Sequence, residues 1–162
     1  MIAVGERLPD GDFKVKDGEG NVGEVSVASL FDGQRVVLIG VPGAFTSTCH
    51  NSHVPQFVQN VTPLKQRGAD RIVVLSVNDH HVMRAWAEAL EGAGKIDFVP
   101  DPLATYTRAL GMDADMSGGG LGVRCKRFSA LVDDRVVKTL NFEPEGSRGI
   151  AATGAATMLT QL

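Results

Sequence analysis

Long apolar runs and helical spacing alternate along the first half of the chain. Residues 35–40 and 71–77 are almost uniformly apolar, which is typical of strands buried on both faces of a sheet. Between them, apolar residues recur every three or four positions over residues 48–68, the spacing of one helix face. Pro55 lies inside this pattern and is expected to kink the helix. The pattern therefore predicts two parallel strands joined by a kinked helix.

Shorter elements flank this centre. Alternating residues predict a hairpin of residues 13–16 and 22–27, and residues 116–120 form the one loop-like stretch. The other predicted elements are a helical turn at 26–31, a helix capped by Asn78-Asp79 with Val82, Trp86 and Leu90 on one face, a strand at 97–99, a helix at 104–110, a hairpin of 128–132 and 136–142, and a closing helix with Ile150, Met158, Leu159 and Leu162. This order predicts an α/β fold with a mixed central β-sheet and flanking helices, as one domain over residues 1–162.

Composition narrows the class of protein. The 162 residues, of which 43% are hydrophobic and 22% charged, are typical of a soluble globular domain. A net charge of −3, with no basic cluster longer than residues 124–127, gives no reason to expect nucleic acid as a partner. The N-terminus lacks a signal-peptide apolar segment, and no apolar run approaches the roughly 18 residues of a membrane span. Two cysteines are too few for a disulfide framework, so we expect a reducing, cytoplasmic location and no membrane association.

The turn between the first apolar strand and the following helix holds Cys49. The first N–H groups of a helix lack partners within it and the helix dipole is positive there, so this position stabilises a thiolate. An ordinary thiol with a pKa of about 8.5 is only about 3% ionised at pH 7, and a helix end contributes only about 0.3–1 kcal/mol. A reactive cysteine therefore also needs a fixed cation. Taken alone, Cys49 fits an ordinary buried core residue equally well.

The residues around Cys49 resemble a known active-site signature. Residues 42–49, PGAFTSTC, with His53-Val54-Pro55 downstream, closely resemble the signature of peroxiredoxins, in the group of plant type II peroxiredoxins and their bacterial and mitochondrial relatives. Further matches are SVND at 76–79, ATY at 104–106, LGVR at 121–124 and KRF at 126–128. Two positions depart from the group: Ser47 stands where proline is usual, and Gln56 where glycine is usual. We expect both to affect how easily the active-site helix opens.

The resemblance implies a thioredoxin-like fold and a peroxidase that reduces hydrogen peroxide and alkyl hydroperoxides. It implies that Cys49 attacks the peroxide O–O bond and becomes a sulfenic acid. The guanidinium of Arg127 would donate to the sulfur and the peroxide together, the hydroxyl of Thr46 would orient the peroxide or the thiolate, and Pro42 would wall the pocket. No cofactor or metal is implied. The expected partners are glutathione with glutaredoxin, or thioredoxin, as reductant, and a second copy in a homodimer.

Other functions stay open at this point. Cys49 could pass a disulfide to a partner protein as a redox sensor or relay, with little turnover of peroxide. His53, one helical turn after Cys49, could be the general base of a cysteine hydrolase, or a metal ligand with Cys49 and His50. Packing behind the loop to orient the site is the favoured interpretation of His53. The absence of a Cys-x-x-Cys pair argues against a thioredoxin-type disulfide reductase.

Cys125 is the second cysteine, and its role depends on where it points. Plant relatives with a resolving cysteine carry it in the strand that matches residues 71–77, where Val74 stands here. Cys125 lies two residues before Arg127, so on a strand both side chains would share one face near the pocket. A disulfide needs Cα atoms about 4.4–6.8 Å apart, which this arrangement is expected to exceed. We therefore expect Cys125 to be a small buried residue rather than the resolving cysteine.

Overall fold

The computed structural model describes residues 1–147 and 149–162. The strands are β1 (Asp12–Lys16), β2 (Val22–Ser26), β3 (Arg35–Val41), β4 (Arg71–Ser76), β5 (Asp97–Pro100), β6 (Asp113–Asp115), β7 (Val123–Cys125), β8 (Phe128–Asp133) and β9 (Val136–Phe142). The α-helices are α1 (Val27–Phe31), α2 (Val54–Gln59), α3 (Val61–Gln66), α4 (His80–Ala89), α5 (Thr105–Ala109) and α6 (Ala155–Gln161). A π-helix, Cys49–His53, precedes α2, and a 3₁₀ turn, Ser117–Gly119, follows β6.

The centre of the fold is a five-stranded sheet in the order β5-β4-β3-β8-β9. β4 runs parallel to β3 and β5, whereas β8 runs antiparallel to β3 and β9. The mixed sheet with flanking helices confirms the predicted fold class. β3 lies in the middle of the sheet and β4 beside it, which explains their uniformly apolar sequences.

Side chains of β3 alternate between two apolar cores, one on each face of the central sheet. Val36 and Leu38 enter the first core, whereas Val37 and Ile39 enter the second. The buried aromatic side chains are Phe13, Phe31, Tyr106 and Phe128 in the first core, and Phe57 and Trp86 in the second. Because alternate strand residues point to opposite faces, these two cores are separated by the thickness of the sheet.

The two cysteines are fully buried in different cores: Cys125 in the first and Cys49 in the second. β7 ends at Cys125 and β8 begins at Phe128, so Arg127 lies in the connection between two strands. The prediction that Cys125 and Arg127 share a strand face is therefore wrong. The strand that was assumed to contain both residues ends before Arg127 is reached.

The helix after Cys49 is irregular at the predicted position, Pro55, and breaks again at Asn60. The π-helix Cys49–His53 changes to α2 at Val54, directly before Pro55, which has no N–H to continue the helical hydrogen bonds, and α2 itself ends at Asn60. The side-chain amide of Asn60 donates to the carbonyl of Gln56 at 2.7 Å, which competes with continuation of the helix. Pro63, three residues later, has no N–H to donate back across the break. A chain that was predicted as one kinked helix is thus a π-helix followed by two short α-helices.

A short hairpin of β6 and β7 encloses the stretch predicted as a loop. Three residue pairs connect these two strands, and the 3₁₀ turn lies between them. Strands of three residues are too short to give a periodic pattern in the sequence. The closing helix begins at Ala155, so Ile150 lies before it. Across residues 1–147 and 149–162, no helix combines the length and apolar character that crossing a bilayer requires.

Candidate active site

The loop from β3 to Cys49 is anchored by the neighbouring strand. The N–H of Ala44 donates to Oδ1 of Asn78 at 2.9 Å, and the hydroxyl of Ser76 donates to the same oxygen at 2.6 Å. Ser76 is fully buried at the end of β4. The parallel pairing of β3 and β4 brings both strand ends to one edge of the sheet, and Asn78 then fixes the loop at that edge. The sequence match at residues 76–79 is explained by this contact.

Phe45 has a strained backbone in the middle of this loop. Its φ is 61°, in the left-handed region that a bulky residue rarely adopts, and 49% of its surface is exposed. Its ring stacks on His50 with a centroid separation of 5.5 Å. Nδ1 of His50 in turn accepts a hydrogen bond from Nε1–H of Trp86 at 3.0 Å. His50 is therefore engaged in aromatic packing rather than directed at the Cys49 sulfur.

The sulfur of Cys49 has a guanidinium beside it. Nη2 of Arg127 donates to Sγ of Cys49 at 3.2 Å, although 78 residues separate the two in sequence. Cys49 is fully buried at the first position of the π-helix, so this contact is sheltered from solvent. A guanidinium is always charged, so the sulfur lies against a fixed cation. The structure thus brings together the cysteine and the cation that the sequence analysis paired.

The other terminal nitrogen of the Arg127 guanidinium, Nη1, contacts His53. Nη1 of Arg127 lies 2.8 Å from Nδ1 of His53, and Nε2 of His53 lies 3.0 Å from the carbonyl oxygen of Thr153. Arg127 can only donate and a carbonyl can only accept, so His53 carries its proton on Nε2. Burial, together with the charge of Arg127, lowers the pKa of His53 from 6.5 to about 4. A neutral imidazole with its lone pair already occupied orients Arg127, and this geometry does not support a general base acting on Cys49.

The neutral state of His53 predicts how stability depends on pH. Below pH 6.5 the unfolded chain protonates this histidine, whereas the folded chain does so only near pH 4. The contribution of neutral His53 to the free energy of unfolding is therefore complete above pH 6.5 and is lost as the pH falls towards 4. The loss is about 3 kcal/mol. Denaturant unfolding of the wild type and of His53→Gln between pH 7 and pH 4 measures this. We expect a shallower pH dependence in the variant, and equal slopes would contradict the assignment.

Thr46 and Pro42 lie on the loop that leads into Cys49. The hydroxyl of Thr46 donates to the carbonyl of Gly43 at 2.7 Å, so its lone pairs stay available to accept a hydrogen bond from a peroxide. Pro42 is half-buried, and its carbonyl accepts from Nη1 of Arg124 at 3.3 Å. The roles given to Thr46 and Pro42 stay predictions.

Gln56, one of the two departures from the resembling group, has a visible contact. Its Oε1 accepts from the N–H of Ala155 at 3.3 Å, and Gly154 beside it leaves room for the amide. The side chain thereby ties α2 to the start of α6. We expect this tie to oppose opening of the active-site helix.

Cys125 differs from Cys49 in its surroundings. Burial raises the pKa of Cys125 to about 12, and its thiol donates to the carbonyl of Lys126 at 3.3 Å. It is therefore a neutral thiol packed in the core across the sheet. In the part of the chain that the structure describes, no three His, Cys, Asp or Glu side chains are grouped so that they could hold a metal ion.

Two contributors to the site were missed from the sequence. Asn78 was predicted only to help cap the following helix, which Asp79 caps, and Thr153 gave no signal because it acts through its backbone carbonyl. A contact made through a backbone group does not depend on the residue type, so no sequence pattern reveals it. His53 was expected to orient the site, and its contact with Arg127 supplies the atom through which it does so.

Comparisons with known proteins place this geometry in a family. The Redoxin family model matches residues 3–159. Peroxiredoxin-2C of Oryza sativa subsp. japonica is 46% identical over 161 residues, covering 99% of this chain and 98% of that protein. The crystal structure of reduced Prx3 in complex with H₂O₂ from Vibrio vulnificus is 39% identical, covers 99% of both chains and superposes with a TM-score of 0.91. A structure from Burkholderia cenocepacia described as a putative thioredoxin reductase is also 39% identical, covers 100% of this chain and 98% of its own, and has a TM-score of 0.92.

Proposed function

The chain belongs to the redoxin family and within it to the peroxiredoxins, which are thiol-dependent peroxidases, and on this premise we propose that Cys49 reduces peroxides by way of a sulfenic acid. The observation that supports this most strongly is the 3.2 Å contact between the Arg127 guanidinium and the buried Cys49 sulfur. It supplies the fixed cation that a reactive thiolate needs and that a helix end alone does not provide.

In the proposed reaction, the Cys49 thiolate donates an electron pair to one oxygen of the peroxide. The O–O bond breaks, and its electron pair leaves with the second oxygen, which takes up a proton and departs as water or an alcohol. The sulfur is oxidised by two electrons to a sulfenic acid, and the peroxide is reduced by two electrons. Arg127 stabilises the charge that develops on the separating oxygens. Thr46 accepts the hydrogen bond of the peroxide hydroxyl, and Pro42 closes the wall of the pocket.

The substrates we propose are hydrogen peroxide and alkyl hydroperoxides. The sulfenic acid is attacked by the thiolate of glutathione, which forms a mixed disulfide and releases water after protonation. A glutaredoxin thiol then attacks the glutathione sulfur and frees Cys49; thioredoxin is the alternative reductant. The burial of Cys125 in the opposite core supports an external thiol. The homodimer and the cytoplasmic location stay predictions.

Replacing Cys125 by serine is expected to leave turnover with glutathione and glutaredoxin within about twofold of wild type. The thiol lies across the sheet from Cys49, so it takes no part in the proposed cycle. Serine is close in size, and its hydroxyl can donate to the same carbonyl of Lys126. The measurement is steady-state peroxide consumption, together with mass spectrometry of wild type after one equivalent of peroxide. A Cys49–Cys125 disulfide as the main product, with loss of turnover in the variant, would overturn this expectation.

Steady-state peroxide reduction with each candidate reductant tests the proposed function. Purified protein is supplied with hydrogen peroxide or an alkyl hydroperoxide and with either glutathione and glutaredoxin or a thioredoxin system. We expect sustained turnover with glutathione and glutaredoxin. Oxidation of Cys49 without turnover in any system would instead favour the redox relay, and cleavage of esters or amides would favour a cysteine hydrolase.

A further inference from the structure

The carboxylate of Glu143 binds the backbone of the segment that precedes α6. It accepts hydrogen bonds from three successive backbone N–H groups, those of Ala151, Ala152 and Thr153, at 3.0, 3.2 and 2.8 Å. It also accepts from the hydroxyl of Thr153 at 2.7 Å. Glu143 follows β9 directly, so it fastens the returning chain to the end of the central sheet. The segment it holds is thereby given one backbone orientation.

That orientation determines where the carbonyl of Thr153 points. Thr153 is fully buried, and its carbonyl oxygen lies 3.0 Å from Nε2 of His53. From His53 the contacts continue to Arg127 at 2.8 Å and from Arg127 to the sulfur of Cys49 at 3.2 Å. An unbroken series of direct contacts therefore runs from Glu143 to the reacting sulfur.

We propose that Glu143 is a positioning residue for the peroxidase reaction, because it holds the Thr153 carbonyl on His53 and thereby keeps the Arg127 guanidinium on the Cys49 sulfur. The proposal rests on the proposed function for the roles of Cys49 and Arg127. Glu143 acts through Thr153 and His53, and it touches neither the sulfur nor the peroxide.

The physical basis is the tautomer of His53. With the Thr153 carbonyl in place, the imidazole proton stays on Nε2 and Nδ1 offers a lone pair to Arg127. Without that acceptor, the proton can move to Nδ1, where it would face the N–H of the guanidinium, donor against donor. Arg127 would then turn away, and the sulfur would lose its cation. A change at Glu143 is thus transmitted to the chemistry at Cys49.

The charge state of Glu143 fits this role. Burial opposes its ionisation, but the hydrogen bonds from Thr153 and from the N–H groups of Ala151 and Ala152 outweigh burial and hold the pKa of the carboxyl below its ordinary value. The carboxylate is therefore an anion throughout the neutral range. Of the charged groups in this region, Glu143 raises and Arg127 lowers the pKa of the neutral His53.

Two variants of Glu143 and one matched control test the proposal. Glu143→Ala removes the acceptor, and Glu143→Gln keeps its shape and one acceptor oxygen but places an NH₂ among the N–H donors. Thr157→Val is the control, because the hydroxyl of Thr157 binds the carbonyl of Ala151 at 3.0 Å in the same segment but has no link to His53. The readouts are the rate of Cys49 oxidation by hydrogen peroxide, the pH profile of Cys49 alkylation by iodoacetamide, and circular dichroism as a check of the fold.

We expect Glu143→Ala to slow the oxidation of Cys49 by about tenfold and to shift the alkylation profile to higher pH. Glu143→Gln should give values between those of Glu143→Ala and wild type. Thr157→Val should match wild type in both readouts. A folded Glu143→Ala protein with the wild-type rate and alkylation profile would overturn the proposal. If Glu143→Ala does not fold, the test uses Glu143→Gln, in which the nitrogen chemical shifts of the His53 imidazole report the tautomer. An unchanged Nε2–H tautomer together with an unchanged alkylation profile would then overturn the proposal. The alkylation profile needs no peroxide, so this link can be judged even if the wild type shows no peroxidase activity.

Discussion

Replacing Cys49 by serine is expected to abolish peroxide reduction, with a loss of at least about three orders of magnitude. A serine hydroxyl is not ionised at neutral pH and cannot form a sulfenic acid, so neither the nucleophile nor the oxidised intermediate would exist. The fold should persist, since serine is close to cysteine in size and its oxygen can accept the hydrogen bond that Nη2 of Arg127 now gives to the sulfur. Steady-state peroxide consumption measures the effect.

Cys125→Ser is the matched control for this substitution, because it makes the same chemical change at the other buried cysteine. Its activity should stay near that of wild type while Cys49→Ser shows none. Retention of more than a few per cent of activity in Cys49→Ser would contradict the assignment of the nucleophile.

Changing Arg127 to lysine is expected to reduce the rate of Cys49 oxidation by about 10- to 100-fold, although the charge is kept. The planar guanidinium donates through Nη2 to the sulfur and through Nη1 to His53 at the same time. An ammonium group is a compact point charge that cannot hold both contacts in this fixed geometry. The variant should also have less thiolate at neutral pH, which the ultraviolet absorbance of the thiolate measures.

Arg108→Lys is the control for Arg127→Lys. Nη1 of Arg108 donates to the carbonyl of Leu103, and its side chain lies on α5 at the surface. This control should keep both the wild-type rate and the wild-type thiolate absorbance. Wild-type values of both in Arg127→Lys would mean that the paired contact of the guanidinium is not what activates Cys49.

The sequence predicted the centre of the fold well, because burial on both faces leaves an unmistakable pattern. The uniformly apolar strands at residues 35–40 and 71–77 were confirmed as β3 and β4, paired in parallel. It did not predict the break at Asn60, which depends on one side-chain amide binding a backbone carbonyl. Hydrophobic spacing is nearly the same for one kinked helix and for a π-helix followed by two short α-helices. The pattern could therefore not distinguish them.

The site was predicted in part, and the limits are also physical. The resemblance paired Cys49 with Arg127, which the structure places in contact. The prediction that Cys125 shares a face with Arg127 was wrong. Residues two positions apart share a face only within one strand, and β7 ends at Cys125. Glu143 and Thr153 gave no signal in the sequence. Glu143 binds backbone N–H groups, which every residue except proline has, and Thr153 binds His53 through its backbone carbonyl. Neither contact requires a particular side chain in the residue that supplies the backbone group.

Trapping the oxidised cysteine tests the central claim most directly. The reduced protein is treated with one equivalent of hydrogen peroxide in the presence of a cyclic diketone that reacts selectively with sulfenic acids, and the digest is examined by mass spectrometry. We predict one diketone adduct, on Cys49, with Cys125 recovered as a free thiol and with little adduct formed in Arg127→Lys over the same time. An adduct on Cys125, or recovery of unmodified Cys49 after the peroxide is consumed, would contradict the account.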